Sequence, residues 1–120
     1  EPVFVHANPQ VRADSAKVAV VKGPLVYCVE EVDNGDNLSS VMVNTDQKID
    51  ETYDSELLEG CSVLHITGKK ISEKGWDEGI LYQNRKTELE DVRLTLVPYC
   101  YWGNRRNGEM LVWMKELFQM

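Results

Sequence analysis

The sequence is poor in the residues that build most chemical sites. It has two histidines, His6 and His65, and three cysteines, Cys28, Cys61 and Cys100, in 120 residues. No Cys-x-x-C occurs, which excludes a zinc ribbon or a thioredoxin-type redox pair. No short His/Cys/carboxylate spacing joins the two histidines, and His65 sits in an alternating strand pattern where an ordinary core or surface histidine is expected. A nucleophile elbow, a phosphate-binding glycine loop and a Ser-His-Asp signal are all missing. No apolar run approaches the roughly 20 residues of a membrane helix. Positive charge is also short: thirteen basic against twenty acidic residues give a net charge of −7. Apart from Lys69-Lys70 and Arg105-Arg106 the basic residues are scattered, so a phosphate backbone would repel this chain and nucleic acid is not an expected partner. Cys28 and Cys100 lie in apolar contexts, Leu-Val-Tyr-Cys-Val and Val-Pro-Tyr-Cys-Tyr, and are expected as buried thiols acting as small hydrophobes. A disulfide, or a metal or nucleophile role, is the lesser alternative. Unpaired thiols lean towards a reducing compartment.

What is present is β-structure. Hydrophobic residues at 42% and charged residues at 28% fit a folded globular chain. A domain of 120 residues can bury roughly two-thirds of its unfolded surface, so residues 1–120 are read as one domain. The chain opens on Glu1 rather than Met and reads as a piece of something longer or a processed product. Strands are expected at 2–6, 17–22, 25–29, 40–44, 63–67 (extending past a bulge at Gly68) and 80–82. The clearest alternation sets Val92, Leu94 and Leu96 against Arg93, Thr95 and Val97, with a second one over 110–115. Residues 33–37 form a turn by composition, and 45–60 a long loop with a helical turn over 56–60. Asn107-Gly108 marks a type I′ hairpin turn between the last two strands, since both of its central positions need positive φ. Six to nine short strands with at most one short helical turn predict an all-β fold, an antiparallel β-sandwich of jelly-roll type.

Candidate chemistry gathers in one segment. Between Pro98 and Trp113 lie Tyr101, Trp102, Asn104, Arg105 and Glu109, with Trp76 as a second aromatic platform elsewhere. Aromatic faces against sugar C–H groups, with Asn, Arg and carboxylates on the hydroxyls, make a carbohydrate site. The same residue types are enriched at domain–domain contacts, so composition alone leaves both readings open. Glu109 also fits a plain Arg–Glu brace of the loop. The run Asp33-Asn-Gly-Asp-Asn37 lacks the ligand order of a calcium loop, and the other carboxylate runs fit solvated faces. No catalytic residue and no metal ligand is assigned.

Two long motifs carry a resemblance. Lys22-Gly-Pro-Leu-Val-Tyr-Cys-Val-Glu30 with Asp33-Asn34 is similar to the "R-G-P-L-V-Y-C-L-E … D-N" signature of glycoside hydrolase family 127, the β-L-arabinofuranosidases. Leu94-Thr-Leu-Val-Pro-Tyr-Cys-Tyr-Trp-Gly-Asn-Arg105 and Gly108-Glu-Met-Leu-Val-Trp113 resemble its closing "I-P-Y-Y-A-W-A-N-R … G-E-M-A-V-W" segment. Val5 to Arg12 and the Leu-Leu-x-Gly of Asp54 to Gly60 fall where the family has them. Cys100, Gly103 and Arg106-Asn107 depart from its usual residues. The resemblance implies the C-terminal sandwich of a bacterial enzyme whose helical barrel, absent here, holds a zinc-bound cysteine nucleophile and a glutamate acid/base. None of those motifs matches a position in this chain, so no cofactor is expected in it. The implied role is non-catalytic and structural: support of that barrel or a homodimer contact. Binding of arabinose-containing glycans is the alternative.

Overall fold

Nine strands form among the residues described by the computed structural model, which are 1–8, 10, 16–54, 61–72, 82, 88–101 and 108–117. They are β1 (Val3–His6), β2 (Lys17–Lys22), β3 (Leu25–Glu30), β4 (Val41–Val43), β5 (Asp50–Asp54), β6 (Cys61–Ile71), β7 (Leu89–Pro98), β8 (Met110–Leu111) and β9 (Met114–Glu116). Helical structure among the described residues is limited to the four-residue α1 (Glu31–Asn34) and 3-10 turns at Leu38–Ser40 and Tyr99–Tyr101. The fold is all-β, as the alternation predicts.

The alternating segment 92–97 lies in the longest ladder. β6 and β7 pair antiparallel without interruption from Leu64–Leu96 to Ile71–Leu89. No bulge interrupts it at Gly68, contrary to the expectation from sequence; the glycine is needed for room instead. A Cβ there would come 2.7 Å from the Met42 carbonyl oxygen and 3.2 Å from a Val43 methyl, because β4 runs directly alongside. The other edge of β6 is shared, β4 pairing with residues 68–70 and β5 with residues 61–65.

The strand order β2-β9-β4-β6-β7-β3 returns to β2 through the Val21–Val26 and Lys22–Leu25 pairs. One hydrogen-bonded sheet thus folds over on itself, with β1 added to β2, β8 to β3 and β5 to β6. All its pairings are antiparallel except β4 with β9. Enclosed between the two halves are Val18, Val20, Tyr27, Val29, Val41, Val43, Leu64, Ile66, Leu94, Leu96 and Met114, with Leu38 from the 3-10 turn. Period-two alternation puts successive side chains on opposite faces, so β2, β3, β6 and β7 each feed this core from every second residue. Tyr27 is fully buried, and its hydroxyl donates to the Ser62 carbonyl at 3.2 Å, which satisfies the one polar atom it brings into the core.

Three expectations change. Residues 50–54, read as loop, form edge strand β5. Their acidity is tolerated because an edge strand with exposed side chains pays little for charge. The strands on either side of the Pro98–Gly108 connection do not pair with each other, since β3 lies between β7 and β8, so the expected hairpin is a crossover. Val97, which the alternation places with Arg93 and Thr95 on a face expected to be partly wet, is fully buried opposite its equally buried cross-strand partner Cys28. The helical turn expected at 56–60 and residues 80 and 81 of the strand expected at 80–82 lie outside the described residues.

A side chain completes the shared edge of β6. Thr67 falls between the stretches paired with β4 and β5, and its backbone would be unpaired there. The Gln47 amide fills the place: Oε1 accepts from Thr67 N–H at 2.8 Å, and Nε2 donates to Thr67 C=O at 2.8 Å and to Asn44 C=O at 2.7 Å. Substituting Gln47→Ala hands the exposed Thr67 groups to water and should cost about 0.5–1.5 kcal/mol. Gly68→Ala should cost ~1–3 kcal/mol by overpacking against the Met42 carbonyl. Urea unfolding midpoints of the two variants check both values.

Candidate functional site

The two signature motifs meet in space. After Glu30, β3 gives way to α1, and the last strand position opposite Thr95 is left open. The Asn34 side chain takes it. Its Oδ1 accepts from Thr95 N–H at 2.8 Å, while Nδ2 donates to Thr95 C=O at 3.0 Å and to Glu30 C=O at 2.9 Å. The amide therefore continues the β3–β7 ladder by one residue, as Gln47 does for β6.

Glu109 joins the same corner from the other motif. Glu31 N–H donates to Glu109 C=O at 2.9 Å, and Glu109 N–H returns a bond to the Glu31 carboxylate at 2.9 Å. The Glu109 carboxylate itself accepts from Leu38 N–H at 3.0 Å, at the start of the 3-10 turn whose leucine enters the core. The carboxylate is thus a cap, a role that satisfies an orphan helical N–H. Asn107, and with it the expected type I′ turn, lies outside the described residues, whereas Gly108 is described. It is small because Glu31 is close: a Cβ would lie 3.1 Å from Glu31 Cβ.

Of the sequence-predicted site residues, Glu109 alone has a described side chain. Tyr101 ends the Tyr99–Tyr101 turn, while Trp102, Asn104, Arg105 and Trp76 lie outside the described residues, as does any Arg–Glu brace from Arg105. Cys100, expected buried, is exposed, because β7 stops at Pro98 and the thiol follows on the turn; Cys28 is buried as expected, and neither is in a disulfide. The end of the fold beside this turn is apolar and open: Leu25, Val26 and Tyr99 are 40%, 39% and 45% exposed. Next outward from the Tyr27–Pro98 pair are Val26 on β3 and Tyr99 at the start of the 3-10 turn.

Elsewhere the charges answer one another. A groove of about 990 Å³ runs between β1 and the 45–52 segment, floored by Phe4 and Ile49. Beside it Lys22 bonds Glu51, and Arg93 faces Asp50 at 4.0 Å; His6 Nε2 meets Glu116 at 2.9 Å. His65 rests between the hydroxyls of Thr52 and Thr95 at 3.3 and 3.4 Å. Among the described residues no three His, Cys, Asp or Glu side chains converge to hold a metal ion, so these residues do not fit a zinc site. No helix among them is long and apolar enough to cross a membrane.

Two measurements follow from this geometry. Glu109→Gln keeps an acceptor for Leu38 N–H and should unfold near the wild-type midpoint, whereas Glu109→Ala should lose about 1–3 kcal/mol. The Lys22 ammonium, helped by Ser62, holds the Glu51 carboxyl below the usual carboxylate range. A depressed folded-state pKa gives stability that is present above the ordinary carboxylate pKa and is lost as pH falls through the lowered value. The effect is small at an exposed pair. An NMR titration of the Glu51 carboxyl should therefore show its midpoint rise in Lys22→Gln.

Comparison with known proteins shows the family of the chain. The family described as glycoside hydrolase family 127 C-terminal domain matches residues 2–115. A non-reducing end β-L-arabinofuranosidase of Bifidobacterium longum subsp. longum is 36% identical over 94% of this chain and 18% of its own length. The crystal structure of a family 127 β-L-arabinofuranosidase from Geobacillus stearothermophilus T6 superposes with a TM-score of 0.91 at 38% identity, covering 98% of this chain and 18% of that one. A second family 127 β-arabinofuranosidase structure gives 0.83 at 37% identity, over 97% of this chain and 17% of its own. The chain thus spans less than a fifth of these relatives, and over nearly all of its own length it belongs to glycoside hydrolase family 127, as the C-terminal domain of that family.

Proposed function

We propose that this chain is a non-catalytic accessory domain of a β-L-arabinofuranosidase-like glycoside hydrolase, and that it serves as a support for the catalytic part of the longer protein. The carrying observation is where the signature residues spend their polar groups. Asn34 and Glu109, the polar residues of the two motifs that would suit chemistry best, are bound to backbone groups of this same domain. Hydrolysis by paired carboxylates needs an acid and a base facing a substrate. Glu109 instead faces the Leu38 amide.

The surface that would meet the catalytic part is the open apolar end at Leu25, Val26 and Tyr99, next to the aromatic 101–107 segment. A chain matching only 18% of its relatives' length has a much larger partner in the rest of the polypeptide. Tyr and Trp are the residue types that interfaces favour over the remaining surface. Tyr99, exposed together with the Leu25-Val26 pair, fits a contact face better than a solvated one.

The isolated 120 residues should show no turnover of an aryl β-L-arabinofuranoside, and measurable turnover would overturn the reading. Tryptophan fluorescence of the same protein should stay unchanged on titration with arabinose-containing oligosaccharides. Saturable quenching lost in Trp102→Ala would replace the scaffold with a carbohydrate-binding module. In the longer protein, Val26→Asp should lower the unfolding midpoint more than it does in the isolated domain. An equal effect in both would place the contact elsewhere, and a change confined to oligomeric state would assign the face to a second copy.

A further inference from the structure

Asn34 is followed by Gly35, and the pair carries chemistry of its own. In an Asn-Gly sequence the glycine nitrogen, with no side chain flanking it, can attack the asparagine Cγ. A C–N bond forms between Gly35 N and Asn34 Cγ, the Gly35 N–H proton is given up and a proton passes to Nδ2, the bond to Nδ2 breaks, and ammonia leaves. Water then opens the five-membered succinimide at either carbonyl, giving aspartate or isoaspartate. Water is the only co-reactant.

The fold blocks every requirement of that step. Asn34 Oδ1 and Nδ2 are held by three hydrogen bonds of 2.8–3.0 Å to Thr95 and Glu30, which restrain the rotation of the side chain. The attacking nitrogen is engaged as well, since Gly35 N–H donates to Glu31 C=O at 2.9 Å. Attack needs both sets of bonds broken together. That means opening the α1 corner, where β3, β7 and the Glu109 segment join.

We infer that Asn34-Gly35 is a spontaneous modification site that only local unfolding exposes, and that the modification then prevents the corner from closing. An aspartate can still accept from Thr95 N–H. It has no donor for the Glu30 and Thr95 carbonyls, and it sets a negative oxygen against both. An isoaspartate adds a methylene to the backbone, so the four residues of α1 no longer fit between β3 and the 3-10 turn. A transient opening is converted into a lasting loss, independently of any catalytic role for the longer protein.

Peptide mapping with isoaspartate detection tests this on the whole chain. A second Asn-Gly, at 107–108, makes site assignment by peptide necessary. At mildly alkaline pH, conversion at Asn34 should be at least roughly tenfold slower in the folded protein than in urea, since the rate follows the open population. Equal rates would overturn the gate. Asn34→Asp should unfold at a clearly lower urea midpoint than wild type. A midpoint equal to wild type would overturn the claim that the modified corner cannot close.

Discussion

Every layer of this domain hangs on the β6–β7 ladder and on how its two outer edges are finished. The ladder supplies the longest run of backbone pairing and four of the buried core side chains, Leu64, Ile66, Leu94 and Leu96. Its neighbours are shorter than it is. β4 and β5 share one edge, and β3 leaves the other after Val29, so Thr67 and Thr95 would each present an unpaired amide and carbonyl. A buried or half-buried backbone group without a partner costs as much as a lost hydrogen bond. Both gaps are closed by the same device, a carboxamide that offers one acceptor and one donor in the spacing of a peptide group: Gln47 at Thr67 and Asn34 at Thr95. Only Asn and Gln carry both functions on one planar unit, which is why Asp or Glu cannot substitute.

This arrangement shows what the residues of the two family motifs do within the fold. The Gly-Pro-Leu-Val-Tyr-Cys run builds the β2–β3 turn, and its tyrosine ends in the core with its hydroxyl on the Ser62 carbonyl. Asn34 and Glu109 then lock the end of β3 against the 3-10 turn that delivers Leu38. Each is tied to a backbone atom distant in sequence, so a change at one position leaves a polar group unpaired at another.

Much of this was legible in the sequence. β2, β3 and β7 announce themselves by apolar alternation or apolar runs, because burial against a core is what the pattern records. β5 was not legible: among the described residues it pairs with β6 alone, and Asp50, Glu51, Thr52 and Tyr53 are exposed, so no burial pattern marks it. The parting of β7 and β8 by β3 was hidden for a different reason. A turn dipeptide such as Asn107-Gly108 reports local backbone preference, while strand neighbours are chosen by long-range pairing, and Gly108 proves to be small because of Glu31. The roles of Gln47, Asn34 and Glu109 had no sequence signal either. Side-chain bonds to backbone across 20, 61 and 71 residues leave no periodicity to read. Family resemblance found Asn34 and Glu109 as motif positions, and the structure supplies what they do.

The central claim is that the signature corner is a structural joint. The most direct measurement compares activity and stability of Asn34→Ala in the longer protein, with kcat taken well below the unfolding midpoint and the midpoint recorded in parallel. A joint predicts a lowered midpoint with kcat and KM unchanged in the folded enzyme. Loss of kcat at an unchanged midpoint would contradict the account and move Asn34 into the chemistry.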